Sequence, residues 1–77
     1  MKMAKRWTFY KEGGQKHENL SVLDSDPVDA AKRVAAAFHT DENVRTNVDS
    51  LNGKPFVIRE FYENGKVTKE RWKLLKD

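Results

Sequence analysis

The side chains that can act as acids, bases, nucleophiles or metal ligands are few in this sequence, and they do not converge. His17 and His39 stand far apart, without the spacing that lets two imidazoles share a metal ion. His39 falls where a helix should end, and His17 where a hairpin should turn. Asp24 and Asp26 are near enough to be imagined as an acid/base pair, but a loop accounts for the first and a helix cap for the second. Gly13, Gly14, Gly53 and Gly65 make no phosphate-cradling motif, and each reads as part of a turn. There is no cysteine, which excludes a thiolate nucleophile, a disulfide framework and a Cys-ligated zinc site. The expectation is a protein that is not an enzyme, with no cofactor and no metal.

The chemistry that remains is that of binding. Fifteen Lys and Arg against twelve Asp and Glu give a formal net charge of +3, which suits a polyanion and also serves solubility. The cations interleave with aromatics most densely in EFYENGKVTKERW, from Glu60 to Trp72. Whether these residues form a surface depends on the elements that carry them.

With 77 residues the chain makes one small domain, residues 1–77, with room for little more than one helix on one sheet. The start, MKMAKRW, is followed by no apolar run, and no segment is long and apolar enough to span a bilayer. A cytoplasmic protein without a membrane partner is expected.

Asn-Gly favours a two-residue hairpin turn because a type I′ turn needs positive φ at both central positions. Taking Asn64-Gly65 as such a loop sets Glu63 opposite Lys66, Tyr62 opposite Val67, Phe61 opposite Thr68, Glu60 opposite Lys69, Arg59 opposite Glu70 and Val57 opposite Trp72. The opposite-charge pairs contribute about 0.2–1 kcal/mol each. Asn52-Gly53, treated alike, sets Asp49 opposite Phe56, Val48 opposite Val57, Thr46 opposite Arg59 and Arg45 opposite Glu60. The two registers agree on which residues share a face. A one-residue slip in either would exchange the faces. Val44, Val48 and Leu51 also fit a short helical stripe, but the agreement of registers favours a strand within residues 43–51.

Gly13-Gly14 reads as a third hairpin turn, which places Trp7 opposite Leu20, Lys5 opposite Val22, Phe9 opposite Glu18 and Tyr10 opposite His17. Between the hairpin and the meander lies DPVDAAKRVAAAFHT, where Asp26 caps a helix, Pro27 occupies its first position and Asp29 complements its dipole. Val28, Ala31, Val34, Ala35 and Phe38 form the expected apolar stripe, and the helix should end near His39. The element order is β-β-α-β-β-β. The expected fold is α+β, a five-stranded antiparallel sheet with the helix packed on one face.

If the helix covers Trp7, Phe9, Val57, Phe61, Trp72 and Leu74, the other face displays Arg6, Tyr10, Arg45, Phe56, Ile58, Tyr62, Lys69, Arg71 and Lys73. Such a face offers cations to phosphates and rings to bases, at about 1–3 kcal/mol per stacked base. It suits nucleic acid or a nucleoprotein complex, and it reads equally as a solvated face on which Lys and Arg stems cover apolar neighbours and Glu60 offsets part of the charge. Alternatively Phe56, Ile58 and Tyr62 make an apolar strip that would serve a protein contact or a homo-oligomer.

With Ala31-Lys32-Arg33-Val34-Ala35 on the helix, Leu51-Asn52-Gly53 at one turn and Tyr62-Glu63-Asn64-Gly65-Lys66 at the next, the order of elements resembles that of small phage-encoded anti-CRISPR proteins acting on type I surveillance complexes. The resemblance lies mainly in residues 30 to 66. It implies a phage or mobile-element origin and an inhibitor that competes for a nucleic-acid path on a host nucleoprotein.

Overall fold

The computed structural model describes residues 3–39 and 43–75. Five strands, β1 (Lys5–Lys11), β2 (Leu20–Asp24), β3 (Arg45–Leu51), β4 (Lys54–Glu63) and β5 (Lys66–Leu74), form one antiparallel sheet in the order β2-β1-β5-β4-β3. One helix, α1 (Pro27–Phe38), crosses from the edge strand β2 to the edge strand β3 and packs on β2, β3 and β4. The fold is α+β, with the expected element order. Among the described residues no helix is long and apolar enough to cross a membrane.

The Asn-Gly turns set the register of the meander. Asn52, Gly53, Asn64 and Gly65 all have positive φ, at 54°, 74°, 52° and 76°, as the two-residue turn demands. β4 and β5 accordingly pair from Glu63 opposite Lys66 to Phe56 opposite Lys73, and β3 pairs with β4 from Leu51 opposite Lys54 to Arg45 opposite Glu60. Residues 45–51 are strand, not helix.

The first hairpin departs from the expected register by two residues. Trp7 lies opposite Val22 and Phe9 opposite Leu20, not opposite Leu20 and Glu18, and Tyr10 has no strand partner at His17. Gly13-Gly14 is not a two-residue loop. Gly13 alone has positive φ, at 77°, and the connection continues through a 3₁₀ turn at Lys16–Glu18. That turn is held by the backbone N–H of Gln15, which donates to Glu18 Oε1 at 3.3 Å, and by Glu18 N–H donating to Gln15 O at 3.0 Å. Because the offset is even, every side chain keeps its face.

Asp26 caps α1, its carboxylate accepting from Asp29 N–H at 2.7 Å, and Pro27 follows in the first turn. His39 closes the helix, donating its backbone N–H to Ala36 O at 3.2 Å. The buried stripe is Ala30, Ala31 and Val34, with Ala35 and Phe38 half-buried against the same cluster. Val28, expected in that stripe, is 45% exposed. The buried arc is centred between Ala30 and Ala31, which turns Val28 to its margin.

Between helix and sheet the core joins Phe9, Val57 and Trp72 to that stripe, with Trp7, Leu20, Val22, Val48 and Leu74 around them. Alanines at the contact let the helix lie close to the strands. Arg59 and Glu70 also point to this side. Arg59 Nη1 donates to Glu70 Oε1 at 3.0 Å, and its guanidinium lies over the rings of Phe38 and Phe61 at 4.9 and 4.5 Å.

Candidate nucleic-acid interface

The side of the sheet away from α1 carries every residue expected there, because alternation along a strand fixes face once register is fixed. β5 presents Lys69, Arg71 and Lys73 at alternate positions, about 6.8 Å apart along the strand. β4 runs beside it, with Glu60 opposite Lys69, Ile58 opposite Arg71 and Phe56 opposite Lys73, while Tyr62 stands opposite Val67 nearer the turn. A column of cations therefore lies alongside a column that is mainly apolar and aromatic.

The outer strands extend both columns. Tyr10 of β1 pairs with Lys73, so Tyr10, Lys73 and Phe56 form one row across three strands. Arg6 lies opposite Leu23 on β2. On the far side β3 sets Arg45 beside Glu60, Asn47 beside Ile58 and Asp49 beside Phe56. Strand order is what brings Tyr10 to Lys73, and the turns do not specify it.

Two of the five cations expected on this face already have carboxylate partners. Lys69 Nζ lies 3.4 Å from Glu60 Oε1, and Lys73 Nζ lies 3.3 Å from Glu12 Oε2. Both are exposed pairs, weakly held and open to exchange for another anion. Among the described residues Arg6, Arg45 and Arg71 have no carboxylate partner. The cations without a carboxylate partner thus lie on three strands, Arg6 on β1, Arg45 on β3 and Arg71 on β5, while Glu12, Asp49 and Glu60 bring negative charge to the same face.

Besides a hollow of about 480 Å³ at Lys69 and Arg71, two more open on or beside this face. One, of about 460 Å³, is lined by Tyr10, Phe56 and Lys73 together with Leu51, Asn52, Lys54 and Leu75. The other, of about 250 Å³, lies between Arg45, Glu60, Tyr62 and Val67. Leu51, Asn52, Lys54 and Leu75 were not expected in a site. Parity along β3 places Leu51 on this face, whereas Leu75 joins through the pairing of β5 with β1, where its N–H donates to Thr8 O at 2.8 Å.

Of the titratable residues set aside from catalysis, both aspartates have structural partners. Asp24 receives the Arg33 guanidinium on one oxygen and Ser25 N–H, at 2.6 Å, on the other. The Arg33 hydrogen bond, helped by Ser25, holds the Asp24 carboxyl below its usual pKa. Glu18 is likewise lowered, first by its hydrogen bond to the Lys11 ammonium, which is itself raised by that contact. His17 is exposed within the 3₁₀ turn. Among the described residues no three His, Cys, Asp or Glu side chains gather where they could hold a metal ion.

Comparison of the chain with protein-family models, with curated proteins and with solved structures returns no match.

Proposed function

We propose that this is a non-enzymatic binding protein whose open sheet face engages nucleic acid, free or within a host nucleoprotein. The observation that carries this reading is the pairing of two columns, Lys69, Arg71 and Lys73 on β5 beside Phe56, Ile58 and Tyr62 on β4. Cations spaced along a strand suit a chain of phosphates, and rings beside them suit bases. A protein that acts on a host nucleoprotein, as the resemblance to anti-CRISPR proteins implies, would use the same face to occupy the path of the nucleic acid.

The test is binding of the purified protein to labelled single- and double-stranded DNA and RNA across a salt series. Three to five phosphate contacts correspond to a slope of log K against log salt of about −2 to −3.5 on single strands. Simultaneous replacement of Tyr62, Arg71 and Lys73 by alanine should abolish measurable binding. Binding indifferent to salt, or unchanged in the triple variant, would overturn the reading.

A second reading has its own observation. Leu23, Leu51, Tyr62, Val67 and Leu75 are exposed around the same face, with Phe56 and Ile58 between them. This much apolar surface suits a protein contact or a second copy of the chain. Sedimentation of a discrete oligomer, dissociated by Ile58→Asp or Tyr62→Asp, would favour it.

A further inference from the structure

We infer that the hollow at the Tyr10, Lys73 and Phe56 row seats one unpaired base of a single-stranded nucleic acid. This rests on the nucleic-acid reading above and specifies which form of nucleic acid the face selects. The row crosses β1, β5 and β4, so an aromatic ring flanks a lysine on each side. Its volume of about 460 Å³ lies low in the range of sites for small organic groups, roughly 300–1,000 Å³.

The lining specifies the chemistry of the occupant. Tyr10 and Phe56 contribute aromatic rings, and Leu51, Pro55, Leu74 and Leu75 add apolar wall, which suits a planar apolar surface. Asn52 contributes an amide that can donate to and accept from a polar edge. Lys54 and Lys73 supply positive charge, and Lys54 has no carboxylate partner among the described residues. A nucleotide has these three features, a planar group, a polar edge and an attached anion, and so fits this lining.

A duplex cannot satisfy this arrangement, because its base faces are buried in the stack and only edges and phosphates are presented. The charge pattern also orients a strand. Asp49 lies beside Phe56 on the β3 side and repels phosphate there, whereas Lys73 and then Arg71 continue along β5. The phosphates therefore follow β5, with the base turned from them into the hollow.

The experiment compares wild-type protein on three fluorescent ligands of equal length: an oligothymidylate, the same backbone made wholly abasic, and a blunt-ended duplex of two annealed strands without a loop. The intact strand should bind about ten-fold tighter than the abasic one, from loss of one stacked base, and also tighter than the duplex. Phe56→Leu and Tyr10→Ala should each narrow the gap between the intact and abasic strands without altering the salt slope, whereas Arg71→Ala should reduce that slope by about 0.7. The leucine keeps apolar bulk and removes the ring, and the wild-type comparison needs no variant to fold. Equal, salt-dependent binding of intact and abasic strands, or of duplex, would overturn the base seat and leave the basic face standing. Absence of binding to all three would overturn both.

Discussion

At the scale of single residues, the most demanding placement is the charged pair under the helix. Glu70 Oε1 accepts from Arg59 Nη1 at 3.0 Å and from Trp72 Nε1 at 3.2 Å, while Lys11 Nζ lies 3.8 Å from Glu70 Oε2. With side chains 27% and 15% exposed, Arg59 and Glu70 are neither solvated nor fully enclosed, and the Arg59 Nε–H has no partner. Such a pair adds little net stability, but removing one member strands the other. Glu70→Leu should therefore destabilise by about 1–3 kcal/mol in denaturant titration, below the cost for a fully buried pair. The double variant Arg59→Met/Glu70→Leu should recover most of that loss. A double variant no more stable than the single would show that the cost lies in packing or in the acceptor lost to Trp72 Nε1, not in the unpaired charge. The pair was legible from the sequence because the Asn64-Gly65 turn sets Arg59 opposite Glu70, and the Asn52-Gly53 turn agrees on the face that Arg59 takes.

At the scale of elements, the ion pair between Asp24 and Arg33 ties the end of β2 to α1, and Thr46 Oγ1 ties β3 to the same helix by donating to Ala35 O at 3.3 Å. Asp24 has a lowered pKa in the folded chain, so its contribution to stability is complete above the unfolded value near 4. It fades as pH falls through that value toward the depressed one. Glu18 adds a loss of the same sign over the same acid range, whereas its partner Lys11, being raised, contributes below its unfolded pKa and loses that contribution only at strongly alkaline pH. Asp24→Asn should lower the melting temperature at pH 7 and flatten the fall in melting temperature between about pH 5 and pH 2. An unchanged acid limb would assign that fall to other carboxylates. Element boundaries were readable wherever one residue type dictated one geometry: Asn-Gly at two turns, Asp26-Pro27 at the helix start. They were not readable at Gly13-Gly14, where the decisive signal was the spacing of Gln15 and Glu18, a capping pattern that lengthens the loop.

At the scale of the whole molecule, the sheet is two blocks joined by a short seam. β1 and β5 pair only at Phe9 with Leu74, Tyr10 with Lys73 and Lys11 with Trp72, flanked by single bonds from Glu12 N–H to Arg71 O and Leu75 N–H to Thr8 O, each 2.8 Å. The blocks are offset along the strands, and the molecule measures 46 × 24 × 24 Å. Beyond Glu60 and Lys69 the β4–β5 hairpin has no paired strand on either flank among the described residues. Amide hydrogen exchange should therefore be fast from Tyr62 to Val67 and slowest around Val57 and Trp72. Uniform protection along β4 would show the hairpin to be covered, as an oligomer through this face would require. The nine site residues could be assigned to one face before strand order was known, but the row of Tyr10, Lys73 and Phe56 could not, since it exists only because β1 docks on β5. The same distinction gives the Arg59–Glu70 pair a role in information rather than energy. Alternation of side chains works as a parity check: it rejects any slip by one residue and is blind to a slip by two, the offset that separates the first hairpin from its simplest reading. Slipping β5 by two against β4 would leave the faces intact but set Arg59 beside Thr68 or Trp72, a charge without its counterpart under the helix. The pair is the second check digit, detecting the error that hydrophobic patterning cannot.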